Sequence, residues 1–163
     1  MRWIWIDRFE AFETGRRAVA RKCVSLAEDH LHDHFPDYPI MPASLLVEGM
    51  AQTAGILVGE ARNFAEKVIL AKVKRAEFFE LVRPGDQVLF DASVEQLTEA
   101  AASTVGRITT AEGRLVGEVD IVFSHIDQNM SGLEFPDDNF VFTEQFMSLL
   151  RTFRPGGEAR VAL

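Results

Sequence analysis

The feature that most constrains this chain is a run of twenty residues, Ala43 to Arg62, reading ASLLVEGMAQTAGILVGEAR. Pro42 stands immediately before it, where a fixed φ and a missing amide suit the first turn of a helix, and no proline interrupts it. Apolar side chains fall nearly all round the helical wheel, which predicts a helix enclosed by the rest of the fold. Small residues (Gly49, Ala51, Ala54, Gly55, Gly59) would let a sheet wrap it closely. One narrow seam differs. Ser44, Glu48 and Gln52 recur at i, i+4 and i+8, so they stack along one face.

The flanking sequence supplies the sheet. Residues 8–24 alternate on either side of Thr14-Gly15 and predict a β-hairpin. After the helix come four strand candidates: Val68 to Phe79, Gln87 to Leu97, Ser103 to Thr110 and Leu115 to Phe123. The first pair is joined by the turn Arg83-Pro84-Gly85-Asp86 and the last by Ala111-Glu112-Gly113. About six strands with hairpin connections round one long helix predict an α+β domain, an antiparallel sheet curled about that helix. This domain is expected to span 1–127, with 128–163 a short C-terminal extension packing on it. In that extension Gly132, Pro136 and Asp137-Asp138 mark a loop. Thr143 then caps a short helix through Arg151, with Phe146, Leu149, Leu150 and Phe153 on its apolar face. The last ten residues are expected to lack fixed structure.

Several function classes recede at this point. With 25 acidic against 17 basic residues the net charge is -8, which argues against a general nucleic-acid binder. The N-terminal Trp3-Ile4-Trp5-Ile6 is cut off at once by Asp7, Arg8 and Glu10, short of a secretory apolar region. No stretch approaches the ~20 apolar residues that span a bilayer. Cys23 is the single cysteine and sits in a strand-like segment, so a buried structural thiol is expected. A soluble, cytoplasmic protein is the expectation.

Chemistry concentrates in two places. Glu48 lies in the middle of the enclosed helix, and burying a carboxylate without partners favours its neutral, proton-donating form. The alternative is a structural glutamate held by Gln52. Residues 27–42 hold three of the four histidines and three of the six prolines (Pro36, Pro39, Pro42), so they predict an ordered, non-helical loop. His34 in that loop suits a general base near neutral pH. His30, His32 and His34 also form an H-x-H-x-H array flanked by Asp29 and Asp33, which on an extended strand could hold zinc or copper. We expect no metal, because the prolines suggest a loop.

His34-Phe35-Pro36, Pro39, Pro42, Leu45 and Glu48-Gly49-Met50-Ala51-Gln52 together closely resemble the signature of the FabZ-type β-hydroxyacyl-acyl carrier protein dehydratases. The segment from Val68 to Asp86 resembles the strand and Pro-Gly-Asp turn of that family, so the resemblance covers about residues 8–125. It implies the hotdog fold, a homodimer or a higher oligomer of dimers, and a tunnel for an acyl chain carried on a phosphopantetheine arm, with no other cofactor. It implies that His34 removes the α-proton of a β-hydroxyacyl thioester and that Glu48 assists departure of the hydroxyl, with Phe35, Pro36 and Gln52 in support. The active site is shared in that family, His34 of one subunit facing Glu48 of its mate. The sister type with isomerase activity normally has aspartate at the acidic position, so glutamate favours plain dehydration. Ala43 and Asp33 stand where the family usually has glycine.

Removing an α-proton builds negative charge on the thioester oxygen, and the free amides of Ala43 and Ser44 at the helix start are placed to stabilise it. The implied partner, acyl carrier protein, is acidic, and Lys72, Lys74, Arg75 and Arg83 are candidates for a local basic docking patch. A thioesterase or a non-catalytic acyl-binding module on the same fold are the alternative readings.

Overall fold

The computed structural model describes residues 4–126, 139–153 and 155. Strand β1 (Arg8–Glu13) turns into β2 (Arg17–Cys23) through Gly15, whose φ of 66° is the left-handed conformation that glycine adopts without strain. Next come a one-turn helix α1 (His30–Asp33) and the long helix α2 (Ala43–Ala61). Strands β3 (Val68–Phe78), β4 (Gln87–Leu97), β5 (Ala101–Thr110) and β6 (Leu115–His125) complete a six-stranded sheet of order β1-β2-β4-β5-β6-β3. All its pairings are antiparallel. Helix α2 packs against β2, β3, β4, β5 and β6. This is the hotdog arrangement that the sequence predicts.

The core shows why the helix and sheet carry these residues. In β5 and β6 buried and less buried positions alternate, as the period of two requires, and Ile108, Val119 and Ile121 face inward. Phe90 of β4 presses on Gly49, where an added Cβ would stand only 2.2 Å from the ring. Reciprocally, Met50 of α2 fills the space at Gly106 of β5, with its sulfur 2.4 Å from where a Cβ would be. Phe90 and Met50 are fully buried, each contributing about 1.5–3 kcal/mol of apolar transfer.

Three local expectations need correction. Residues 27–42 are not wholly non-helical, because α1 forms at 30–33, upstream of all three prolines. His30 and His32 therefore lie on a helical turn rather than an extended strand, and His34 follows it. Cys23 is exposed, not buried. It ends β2 on the outward face with Arg17 and Arg21, while Ala18, Ala20 and Lys22 point inward. In the extension, helix α3 (Glu144–Phe153) is capped by Thr143, whose hydroxyl accepts the Phe146 amide at 3.3 Å. Phe146 and Leu150 are buried beside Ile4, Ile6, Phe9 and Ile56, but Leu149 is exposed, because the apolar stripe that meets the domain is narrower than the sequence suggests. The expectation for the last ten residues falls outside the described residues, Pro155 apart. Among the described residues no helix is long and apolar enough to cross a membrane.

Candidate active site

His34 sits just past the end of α1 and is held from several directions. Its amide donates to the His30 carbonyl at 3.1 Å, and its carbonyl accepts the Ile40 amide at 2.9 Å. The loop closes on itself through reciprocal bonds between Phe35 and Tyr38, 3.2 and 2.9 Å. It is tied down at both ends to the β3–β4 connection: the Met41 amide donates to Val82, and Val24 exchanges bonds with Gly85 and Asp86. The four-residue turn expected at 83–86 is present, with Gly85 at φ 97° and Asp86 accepting the Arg83 amide.

This framework fixes the imidazole chemically. His34 Nδ1 lies 3.0 Å from the Ile40 carbonyl oxygen, which can only accept. In the neutral ring Nδ1 therefore carries the hydrogen, and Nε2 keeps the lone pair that can take a proton. The exposed Phe35 ring stacks on the imidazole at 4.5 Å, and Pro36 is exposed beside it. Asp33 faces solvent; the orienting partner of His34 is the Ile40 carbonyl.

Glu48 is half-buried rather than enclosed, because a cavity opens beside that face of α2. Gln52, one turn on and 4% exposed, donates to Glu48 Oε1 at 2.8 Å. The carbonyl end of Gln52 accepts the Trp5 amide at 2.8 Å, which fixes the orientation of the amide group. The seam of Ser44, Glu48 and Gln52 thus runs from solvent into the core. At its outer end Ala43 and Ser44 are exposed. The first backbone bonds of α2 come from Leu45 and Leu46, both donating to Pro42, so the amides of Ala43 and Ser44 precede the helical ladder.

The cavity has a volume of about 160 Å³. Glu48 and Gln52 form its polar end, and Ile56, Val68, Leu70 and Phe123 give it apolar walls. His34, Ala43 and Ser44 are not among its lining residues, so a single chain does not bring the two halves of the predicted pair into one cavity. Of these lining residues sequence reasoning named only Glu48 and Gln52 as site residues; among those it missed, Val141 and Phe142 come from the C-terminal extension.

The remaining candidates separate. Lys72, Lys74 and Arg75 lie on β3, at a sheet edge, and Arg83 covers the Tyr38 ring at 4.2 Å. Arg75 is already paired with Glu77 at 2.6 Å and Glu118 at 2.7 Å, and the Glu77 carboxylate holds its pKa above the ordinary arginine value. Lys74 lies 3.8 Å from Glu95. The three histidines of this segment turn to different partners: His30 to Glu28, His32 to the Leu26 carbonyl and His34 to the Ile40 carbonyl. Among the described residues there is no cluster of three metal-ligating side chains. Desolvation and the neighbouring Asp7 carboxylate push the Cys23 thiol pKa up, which lowers its thiolate fraction.

A model of the FabA-like domain family matches residues 3–125. The chain belongs to that family. Among its relatives is the "3-hydroxyacyl-[acyl-carrier-protein] dehydratase FabZ" of Halalkalibacterium halodurans, 34% identical over 123 residues, 75% of this chain and 87% of the relative. The protein of the same name from Listeria welshimeri is 35% identical over 126 residues, covering 77% and 87%. Solved structures share the fold at low identity. The protein AziG of S. sahachiroi aligns with a TM-score of 0.61 at 17% identity, covering 72% of this chain and 89% of that one. A Haemophilus influenzae thioesterase, HI1161, aligns at 0.61 and 16%, covering 77% and 81%. In this FabA-like chain the family match includes His34, Glu48 and all six strands, whereas Asn139 to Phe153 lie beyond it.

Proposed function

We infer that this protein is a hydro-lyase that removes water from 3-hydroxyacyl thioesters carried on acyl carrier protein, giving the 2-enoyl thioester. The observation that carries the reading is the family match across 3–125, with FabZ dehydratases at 34–35% identity over three quarters of the chain. His34 Nε2 takes the α-proton, for which its bound Nδ1 leaves it the free lone pair. The Glu48 carboxyl gives its proton to the β-hydroxyl, which leaves as water while the Cα–H electron pair becomes the new double bond. The proton on His34 then returns to Glu48 through solvent. The amides of Ala43 and Ser44 stabilise the enolate-like thioester oxygen. Only protons and one hydroxyl move, so the step needs no cofactor beyond the phosphopantetheine arm that presents the substrate.

A dimer completes the site. Strand β3 is eleven residues long, lies at a sheet edge, and is exposed from Leu70 through Glu77. A long bare edge with Leu70 and Val73 uncovered is a template for pairing with another strand. Leu70 also lines the Glu48 cavity, so a second copy paired along β3 would stand at the cavity wall. We propose a twofold dimer in which His34 of one subunit serves Glu48 of the other. The test is formation of the conjugated enoyl thioester by the purified protein. Activity should fall by about 10²-fold or more in His34→Ala and in Glu48→Gln. Near-wild-type turnover by either folded variant contradicts the assignment of roles, and release of free thiol instead of enoyl product would establish a thioesterase.

A further inference from the structure

The cavity beside Glu48 has an end that the family match does not account for. The match stops at residue 125, yet Val141 and Phe142 line the cavity. Their placement is fixed by Asn139. Its side-chain amide donates to the Phe64 and Glu66 carbonyls at 3.0 and 3.2 Å, and its oxygen accepts the Val141 and Phe142 amides at 3.1 and 3.0 Å. The segment is thereby pinned to the connection between α2 and β3. The Phe142 ring then occupies the space left by Gly59 of α2, where a Cβ would meet it at 2.6 Å. Phe64 packs edge-on against that ring at 4.9 Å, and Phe146 of α3 lies behind it at 5.8 Å.

We propose that Val141 and Phe142 are the end wall of the acyl site and that they limit the length of acyl group this enzyme accepts. The proposal rests on the reading of the cavity as the acyl-thioester site. Up to the wall, each methylene taken from water strengthens binding about fourfold. Beyond it, further carbons must stay in water or displace a ring that is packed on three sides, so the gain stops.

The test uses the full chain and unreactive amide analogues of acyl-phosphopantetheine, of about four to ten carbons, with binding followed by calorimetry. Wild-type affinity should climb about fourfold per methylene and level off within this range of lengths. In Phe142→Ala and Val141→Ala the levelling point should move about two carbons longer, and in Val141→Phe it should move shorter. Should Phe142→Ala fold poorly, the Val141 pair decides, since that side chain is only partly buried. A wild-type affinity that climbs unabated to the longest analogue overturns the wall, as does a levelling point that neither Val141 variant moves. Dehydration is assayed separately. Levelling without turnover at any length would overturn the dehydratase reading and leave the wall standing, whereas turnover without levelling would do the reverse.

Discussion

The two ends of α2 differ in what they expose. At the N-terminal end Ala43 and Ser44 are open to solvent, their amides precede the ladder, and Glu48 is half-buried. From Gln52 through Gly59 every residue but Gly55 is buried, and aromatic rings close in: Phe123 comes within 3.3 Å of a Cβ built at Gly55, and Phe142 within 2.6 Å at Gly59. Proton transfer needs polar groups that a substrate can reach, whereas recognition of an apolar chain needs dry, close-packed walls. One helix supplies both, at opposite ends. Substitutions at the open end should therefore change rate, and those at the closed end should change chain-length preference and stability.

The largest expected effect is at the open end, the loss of about 10²-fold or more in kcat for His34→Ala and Glu48→Gln, with the denaturation midpoint little changed. A large stability loss with modest kinetic change would erase the distinction. Gln52 sits at the boundary and should show both effects. Gln52→Leu deprives the buried Trp5 amide of this acceptor and Glu48 of its donor. It should cost about 1–3 kcal/mol of stability by denaturant titration. The misaligned carboxyl should also lose about tenfold in kcat. Asn139→Ala belongs to the closed end and should cost about 1–3 kcal/mol, because two bonds to the α2–β3 connection and two within the extension are lost together. The smallest effect concerns the carrier. Arg75 and Lys74 already face Glu77, Glu118 and Glu95, so added salt should raise KM for a carrier-linked substrate only about two- to threefold. A steep salt dependence would show that these pairs open on docking.

The open end was legible in the sequence and the closed end was not. Pro42 and the uninterrupted apolar run mark α2 to within a residue, and Gly15 and Gly85 mark their turns. The loop signature and the E-x-M-A-Q run place His34 and Glu48 in the family by residue type and spacing. What they could not convey is Glu48's partial exposure. A helix apolar nearly all round reads as enclosed, but here a cavity opens along one face. Likewise α1 is one turn long, too short to leave a periodic pattern, and a proline count hides it. Cys23 was misplaced because alternation says which residues share a face, not which face is inside. The wall at Val141 and Phe142 depends on Asn139 reaching Phe64 and Glu66, more than seventy positions earlier, and such a contact has no local signature.

The central claim is that the acid and the base come from different subunits, and mixing tests it most directly. His34→Ala and Glu48→Gln chains, each inactive alone, are unfolded together, refolded as a mixture and assayed for dehydration. A twofold shared site predicts that each mixed dimer regains one intact pair, so activity should return to roughly a quarter of wild type at equal proportions. Activity no greater than the sum of the two separate variants, with mixed dimers shown to be present, would contradict the shared site.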